Sequence, residues 1–272
     1  MVPPKTLTLQ TLLNLISYRV ARSRTELEQS YHLIYDEYIK RGYMQENPSH
    51  LRISFFNALP ETTTFIAIAE ETIIATVTLI PDSPLGLPMD EIYHKELDTF
   101  RGQKKKICEI SMLASNTEFY KNGISLMLNS KKMFFIFYLF KLVYDYAKDY
   151  LNLDYLCITI NPKHKLTYDF LLFKDFGELK TYSGANGAPA IGKYADVKNI
   201  RDECRREKNE GLERMFFSRE TDPIQFSNKV MLREEDLEYF FMRKTDVFKN
   251  ASPTQLAYLK NCYPNFDFSK LK

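Results

Sequence analysis

The order of strands and helices in the middle of the chain constrains the fold most. A strand-like segment, Lys106–Ala114, precedes a long helical pattern over Lys131–Leu151, and a second apolar run, Leu153–Ile160, follows at once. Two buried strands joined by a long helix predict a parallel crossover. The most apolar stretch, Met133–Phe140, is eight residues long. A membrane span takes about 20 apolar residues, so this stretch predicts a buried helix.

The segments around this unit predict strands joined by short turns, which favours antiparallel pairing. They are Leu51–Phe56, Thr64–Ala69, Ile73–Ile80, Glu178–Tyr182 and Ala190–Val197. Thr25–Arg41 reads as a helix with a capping box formed by Thr25 and Glu28. Together these signals predict an α/β fold with a mixed, mostly antiparallel central sheet flanked by helices.

Three regions follow from the distribution of these signals. Leu9, Leu12, Leu13, Ile16 and Val20 recur at helical spacing, which predicts an amphipathic N-terminal helix within residues 1–24. Residues 25–198 carry the strand signals and form the main domain. Residues 199–272 carry helical patterns, so we expect a C-terminal helical extension packed on the same domain; the patterns cover Ile200–Arg214, Arg233–Arg243 and Thr254–Asn261.

Charge and cysteine content exclude several classes of function. The 37 basic and 35 acidic residues leave a net charge of +2, which is too balanced for a dedicated nucleic-acid binder. The four cysteines lack any metal-ligand spacing, so no metal site is predicted, and reduced thiols in a cytoplasm are expected. Gly187–Tyr194 nearly matches a phosphate-binding loop, but Tyr194 replaces the required hydroxyl residue, so a hairpin turn is the better interpretation.

Two sets of motifs together resemble one known family. The first set is Asp82–Asp90 (DSPLGLPMD), Glu96–Asp98 (ELD) and Cys108–Ala114 (CEISMLA). The second set is Asn161–His164 (NPKH), Tyr168, Phe176–Glu178 (FGE) and Asn186–Ala190 (NGAPA). Their order and spacing resemble the long-chain N-acyl amino acid synthases, a branch of the GCN5-related N-acetyltransferase (GNAT) fold related to the acyl-homoserine-lactone synthases.

The resemblance implies a GNAT-like acyltransferase. The acyl donor would be the acyl-phosphopantetheine of an acyl carrier protein, with no tightly bound cofactor. The acceptor would be an amino acid, for which tyrosine is one candidate by family analogy. The implied partners are therefore the carrier protein and a small amino acid substrate.

Glu109 is the candidate general base. Strand alternation places Glu109, Ser111 and Leu113 on one face of an otherwise apolar strand. A carboxylate on a half-buried face needs either a partner or a chemical task, and a free amine needs a base to remove its proton. The alternative is a structural salt bridge to Arg101 or a nearby lysine.

Three residues are candidates for the acceptor site. Ser111 shares the face of Glu109. Asp82 is suited to hold the substrate ammonium, although turn formation before Pro84 explains it equally well. Arg101 is suited to hold the acceptor carboxylate as a bidentate pair, and a surface charge is its alternative.

The resemblance also implies the residues of the donor site. The backbone of Met112, Leu113 and Ala114 would pair with the pantetheine amides, and Asn161 would contact the same arm. Tyr168 stands where the fold places the acid that protonates the leaving thiolate. The broader superfamily has a glycine in the motif that follows this tyrosine, and this chain does not, so a packing role is an alternative.

The segment after the Glu109 strand distinguishes two kinds of donor. Coenzyme A-dependent relatives carry a glycine-rich loop there that binds pyrophosphate. Here Thr117–Ile124 contains one glycine, which favours a carrier-protein donor. Since carrier proteins are typically acidic, a basic docking patch is expected, and we assign it to lysines that flank the predicted entrance. They are Lys104, Lys105, Lys106, Lys131 and Lys132.

Two rival functions remain at this stage. One is an acyl-homoserine-lactone synthase that uses S-adenosylmethionine. The other is a non-catalytic acyl- or protein-binding module on the same fold. That module would show Glu109 paired with a cation and no open slot beside Met112–Ala114. A hydrophobic product and the N-terminal helix also leave contact with a membrane open.

Overall fold

The computed structural model describes residues 16–69, 71–117, 132–218, 221–222 and 224–271. The strands are β1 (Ile16–Val20), β2 (Thr63–Ala69), β3 (Thr72–Pro81), β4 (Ile107–Ser115), β5 (Tyr155–Ile160), β6 (Lys174–Tyr182) and β7 (Ala188–Asp196). The α-helices are α1 (Arg24–Lys40), α2 (Asp90–Gly102), α3 (Lys132–Asp145), α4 (Lys165–Phe170), α5 (Ile200–Arg206), α6 (Glu210–Phe217), α7 (Ile224–Ser227), α8 (Glu234–Glu238) and α9 (Pro253–Cys262). None of these helices is long and apolar enough to cross a membrane.

These strands form one seven-stranded sheet in the order β1-β2-β3-β4-β5-β7-β6. β4 and β5 are parallel neighbours, and each of the other neighbouring pairs is antiparallel. The parallel pair is the one joined through α3. The predicted fold class, a mostly antiparallel sheet with one parallel crossover and flanking helices, is confirmed.

Helices cover both faces of the sheet because successive strand residues point to opposite sides. Phe65 and Ala67 of β2 belong to the apolar cluster that contains α3. Ile66, between them, belongs to a second cluster that contains α1. α2 covers a third, smaller cluster around Tyr93 at the β6 side of the sheet.

The segment after β7 packs against the sheet domain on both sides. Leu212 and Phe216 of α6 join the α3 cluster. Phe240, Phe241 and Phe248, farther along, join the α1 cluster, and the ring of Phe241 stacks on that of Phe248 with centroids 4.9 Å apart. The C-terminal segment therefore closes parts of both cores.

The helix predicted within residues 1–24 is wrong where the structure describes it. Ile16–Val20 is strand β1, which pairs with β2; residues 1–15 lie outside the described ranges. A spacing of four residues, as between Ile16 and Val20, fits one face of a strand as well as one face of a helix. Unpaired edge groups of β2 decide between the two, because β1 gives them hydrogen-bond partners.

The strand predicted at Leu51–Phe56 is also wrong. This segment is extended and then forms a single 3-10 turn at Phe55–Ala58, without joining the sheet. Its alternation is real, since Leu51 and Ile53 are buried under α1 and Arg52 N–H donates to Tyr31 O over 3.1 Å. Alternation therefore reports a segment with one buried face, which need not pair with another strand.

Of two smaller expectations, one changed and one is confirmed. The helix predicted over Ile200–Arg214 is divided into α5 and α6, because Lys208 adopts a positive φ of 52° and Asn209 caps the second helix. The near-match to a phosphate-binding loop is a hairpin as predicted: Asn186 and Gly187 turn the chain, and β7 follows.

We predict that Phe241→Ala lowers the free energy of unfolding by about 3–5 kcal/mol, because it leaves a cavity at a fully buried ring. Leu179→Ala is the control, since that side chain is 65% exposed and its loss should change the unfolding free energy by no more than about 0.5 kcal/mol. Urea unfolding followed by circular dichroism measures both. A separate early transition for the C-terminal helices, with the main transition unchanged, would contradict the shared core.

Candidate active site

The two parallel strands at the centre of the sheet, β4 and β5, are paired along only part of their length. β4 pairs with β5 from Ile107↔Tyr155 to Ile110↔Ile158. Beyond these pairs β4 continues to Ser115 and β5 to Ile160 without a ladder between them. Backbone groups that face the gap are therefore available to another molecule.

A β-bulge produces this separation. Met112 adopts a left-handed conformation with φ 54°, and the register with β3 shifts at the same level, between Thr76 and Thr78. A bulge bends its strand and increases the local twist. The bend carries the end of β4 away from β5. A left-handed conformation is costly at a non-glycine residue, which is typical of functional positions.

The gap opens into a cleft of about 440 Å³ that passes through the sheet. On the α3 side its wall is apolar and includes Ile136, Phe140 and Tyr168. On the α1 side its wall is polar and includes Arg52 and Tyr182. The two sides suit different substrates, one apolar and one polar.

Glu109 lines the cleft from β4, one residue before the last β4–β5 pair. Its side chain is 2% exposed, and it accepts a hydrogen bond from Met89 N–H over 2.7 Å. Burial raises the pKa of Glu109 to about 8 despite that hydrogen bond. Among the described residues no lysine or arginine forms an ion pair with Glu109, so the salt-bridge alternative is wrong. Its carboxyl remains available to the cleft that it lines.

The other residues predicted on β4 also line the cleft. Ser111, Met112, Leu113 and Ala114 border it directly. The open slot beside Met112–Ala114 is the opposite of what the non-catalytic module predicted.

Asn161 and Tyr168 line the cleft from β5 and α4. The Asn161 side chain caps the turn that follows β5 by accepting a hydrogen bond from Lys163 N–H over 3.1 Å. The Tyr168 ring packs edge-to-face on Phe140 and Phe173, with centroids 5.8 Å and 5.7 Å away. Burial raises the pKa of Tyr168 well above its ordinary value, so the phenol stays protonated near neutral pH.

Asp82 and Arg101 do not join this group, and their predicted roles in acceptor binding are wrong. Arg101 donates to both Asp82 oxygens over 2.8 Å and to the two Asp90 oxygens over 2.7 Å and 2.6 Å. Neither Asp82 nor Arg101 borders the cleft. Arg101 Nη1 also donates to Asp98 over 3.0 Å, and a guanidinium bound by three carboxylates has no free fork for a substrate.

This ion-pair cluster instead holds the loop that supplies Met89. Asp90 also accepts from Leu87 N–H over 2.6 Å, which tightens the turn before α2. A Cβ at Gly86 would lie 2.5 Å from an Asp90 oxygen, and Gly86 has φ 72°, so only glycine fits there. The DSPLGLPMD motif thereby fixes the N–H that holds Glu109.

The docking patch predicted at Lys104, Lys105 and Lys106 is misplaced. These residues precede β4, and Lys106 N–H donates to Asp154 just before β5. That is the closed end of the β4–β5 pair, roughly 30 Å along β4 from Ser115 at about 3.3 Å per residue. Lys131 lies outside the described residues, as does the Lys132 side chain, although Lys132 begins α3.

The segment that distinguishes the donors lies mostly outside the described residues. Its first residue, Thr117, is described, and both its N–H and its hydroxyl donate to Glu37, over 3.2 Å and 2.8 Å. The Glu37 carboxylate is almost fully buried and also accepts from Arg41 over 2.6 Å. The segment after β4 therefore starts from a fixed point on α1.

Sequence reasoning missed the polar residues on the α1 side of the cleft. Tyr38, Arg52 and Tyr182 all line it. Arg52 lies in the misread segment Leu51–Phe56, at a polar position between two buried residues. The alternation indicates that Arg52 faces away from the core. It does not indicate that Arg52 faces the cleft, because the location of this segment relative to the sheet is not evident from the sequence.

Comparisons with known proteins agree with this geometry. A family model described as N-acyl amino acid synthase FeeM matches residues 29–196. No curated protein sequence matches the chain. Among solved structures, FeeM, an N-acyl amino acid synthase from uncultured soil microbes, is 31% identical with a TM-score of 0.57, over 69% of this chain and 93% of that one.

A second solved structure shares the fold. The coenzyme A-dependent acyl-homoserine lactone synthase BjaI is 13% identical with a TM-score of 0.52, over 82% of this chain and 98% of that one. The family match spans more than half of the chain and includes β4, β5 and most of the cleft. The protein is an N-acyltransferase with a GNAT-like fold, and it belongs to the FeeM family of N-acyl amino acid synthases.

Proposed function

We propose that the protein transfers a fatty acyl group from the thioester of an acyl carrier protein to the amino group of an amino acid. The observation that carries this proposal is the interrupted ladder between β4 and β5. An extended ligand that contains amides can continue such a ladder by hydrogen bonding to the free strand edge. The phosphopantetheine arm has this shape and chemistry, and Met112–Ala114 provide the free edge.

The two walls of the cleft support a division between substrates. The apolar wall at Ile136 and Phe140 favours a hydrocarbon chain, because burial of apolar surface stabilises by about 25 cal/mol per Å². The polar wall on the α1 side favours the amino acid. The thioester carbon would then lie between them, beside Glu109.

Glu109 is suited to act as the general base. A free amino acid is largely an ammonium ion near neutral pH and cannot attack until it loses a proton. A carboxylate with a pKa of about 8 accepts that proton far more readily than an ordinary glutamate does. The amine nitrogen then bonds to the thioester carbon, and the carbonyl oxygen becomes an oxyanion.

Tyr168 is suited to act as the general acid. Collapse of the tetrahedral intermediate breaks the carbon–sulfur bond and leaves a thiolate, and the nitrogen releases its second proton to solvent as the amide forms. The buried phenol of Tyr168 donates its proton to that sulfur and recovers one from solvent. Asn161, which follows β5 and lines the cleft, would hold the pantetheine arm alongside.

The carrier-protein donor is supported by the sequence of the segment after β4. Thr117–Ile124 contains one glycine, whereas the loops that bind pyrophosphate are glycine-rich. Lys104–Lys106 lie at the closed end of the β4–β5 pair. Basic residues at its open end would therefore bind the acidic carrier protein. Lys163 is one of these, since it is exposed and its ammonium lies 5.2 Å from the Tyr43 ring. Lys131 and Lys132 remain predicted members.

The proposed activity is tested by incubating the protein with lauroyl carrier protein or lauroyl coenzyme A and a mixture of all twenty amino acids. Mass spectrometry identifies the products. We expect N-lauroyl amino acids, formed at least tenfold faster from the carrier protein. An acyl-homoserine lactone formed only when S-adenosylmethionine is supplied would contradict the proposal, as would the absence of any N-acyl product with donors of several chain lengths.

We predict that Glu109→Gln lowers kcat/KM by about 10²–10⁴-fold, because the amide keeps the size of the side chain and cannot take a proton. The substituted side chain still accepts from Met89 N–H, so the fold is retained. Initial rates with saturating donor measure the effect. A rate equal to that of the wild type would remove Glu109 from the base role.

The same variant tests the raised pKa. The unfolded chain ionises Glu109 near 4.5, whereas the folded protein does so near 8, so wild-type stability falls as pH rises through that window. Glu109→Gln should escape this loss and gain relative stability on the order of a few kcal/mol by pH 8, since one pKa unit is about 1.4 kcal/mol. Thermal unfolding from pH 5 to 9 measures it; parallel curves for both proteins would contradict the raised pKa.

We predict that Tyr168→Phe lowers kcat by about 10–100-fold and leaves the unfolding free energy within about 0.5 kcal/mol, because only the hydroxyl is lost. Tyr144→Phe is the matched control. It loses a hydrogen bond to Val197 O of 3.1 Å away from the cleft, so stability should fall by about 1 kcal/mol with kcat unchanged. Steady-state kinetics and urea unfolding measure both variants. An unchanged kcat for Tyr168→Phe, together with a lower unfolding free energy, would assign Tyr168 to packing alone.

A further inference from the structure

Arg52 has donors that the protein itself does not use. Its side chain lines the cleft, and Nη2 donates to Gly184 O over 3.0 Å. Its Nε atom is buried and has no hydrogen-bond partner in the described residues. A buried donor without an acceptor costs about 1–3 kcal/mol, so such a group in a cleft indicates a missing ligand.

The other arginines near the site are already occupied. Arg101 is held by Asp82 and Asp90 outside the cleft. Arg41 lines the cleft but donates to the carboxylate of Glu37 over 2.6 Å. Arg52 forms no ion pair with any described carboxylate, so its charge is not balanced by the protein there.

The positive charge of Arg52 acts on the same part of the cleft as Glu109. Burial raises the pKa of Tyr38 and of Tyr182, and the charges of Glu109 and Arg52 then act on both phenols in opposite directions. The two tyrosines therefore lie within the fields of both groups. Glu109 and Arg52 both line the cleft, which therefore presents a proton acceptor and a cation to the same ligand.

We infer that Arg52 binds the carboxylate of the acceptor amino acid while the amine of the same molecule faces Glu109. A guanidinium binds a carboxylate through two parallel hydrogen bonds, and Nε together with one Nη provides such a fork. This inference rests on the proposed function and adds the residue that selects acceptors with a free carboxylate.

The hairpin between β6 and β7 fixes the arginine. Gly184 O holds Nη2, and the hairpin is tied to the turn after α1 by Asn186, whose amide donates to Gly42 O over 3.2 Å. With one end of the guanidinium fixed, little side-chain freedom is lost when the carboxylate binds. This pre-organisation favours a small acceptor.

A donor phosphodiester is the other anion that the cleft would receive. It would enter at the open end of β4 and β5, where Lys163 lies in the turn after β5. Arg52 is instead bonded to the β6–β7 hairpin, and its charge and that of Glu109 act on the same two phenols, Tyr38 and Tyr182. The acceptor carboxylate is therefore the anion that fits Arg52.

The test is a competition between carboxylates and their amides. The wild-type protein receives lauroyl carrier protein with an equimolar mixture of L-amino acids and the corresponding L-amino acid amides, and products are counted by mass spectrometry. We expect acid products to exceed amide products at least tenfold. Arg52→Gln should reduce that ratio at least tenfold, and Arg52→Lys should reduce it less because it keeps the charge without the fork. Arg22→Gln, which removes an exposed arginine, is the control and should keep the wild-type ratio.

A binding measurement separates this inference from the proposed reaction. The Nε–H resonance of Arg52, identified as the signal missing from Arg52→Lys, should shift when the amino acid mixture is added and stay in place with the amide mixture. A shift without any turnover would support Arg52 while contradicting the proposed function. Equal acid and amide products, an unchanged ratio in Arg52→Gln with a raised donor KM, or no shift with either mixture would each overturn the assignment.

Discussion

The hydrogen-bond ladder between β4 and β5 stops early, and the rest of the site depends on that interruption. The left-handed Met112 bends β4 away from its parallel neighbour after Ile110. One local conformation thereby leaves backbone groups unpaired and opens a passage between two packed layers. The strain at Met112 is tolerated because β3 on one side and two apolar clusters above and below hold the strand in place.

A second chain of contacts fixes the position of Glu109 in that passage. The Arg101 guanidinium binds Asp82 and Asp90, and this cluster shapes the loop that presents Met89 N–H to Glu109. A carboxyl buried with a single N–H partner and no cation has a raised pKa, as a base for an ammonium substrate requires. Asp82 and Arg101, which the sequence suggests for substrate binding, therefore position the loop that holds Glu109 at the cleft.

Much of the architecture can be predicted from the sequence alone, because local patterns of apolar and polar residues determine the order of strands and helices. The strand–helix–strand order around β4 and β5 predicts the parallel crossover, and the position of Glu109 in an apolar strand predicts a functional carboxylate. Ser111, Asn161 and Tyr168 were also placed correctly at the cleft. These residues lie on regular elements whose direction the motif order already fixes.

The errors concern interactions between distant segments. The spacing of Ile16 and Val20 fits a strand or a helix equally well, and only the edge of β2 decides. Asp82 and Arg101 are 19 residues apart, and nothing in their spacing reveals that they bind each other. Lys104–Lys106 are near Glu109 in sequence but lie at the closed end of the strand pair. Arg52 reaches the cleft only because the β6–β7 hairpin, 132 residues later, holds it there.

The central claim is that the gap between β4 and β5 receives the pantetheine arm of the donor. A crystal structure with a non-hydrolysable thioether analogue of lauroyl-phosphopantetheine tests it most directly. We predict that the arm lies between the two strands, with its amides hydrogen-bonded to the backbone of Met112–Ala114 and its sulfur between Glu109 and Tyr168. An arm bound elsewhere on the protein, with the gap empty or filled by the protein's own side chains, would contradict the account.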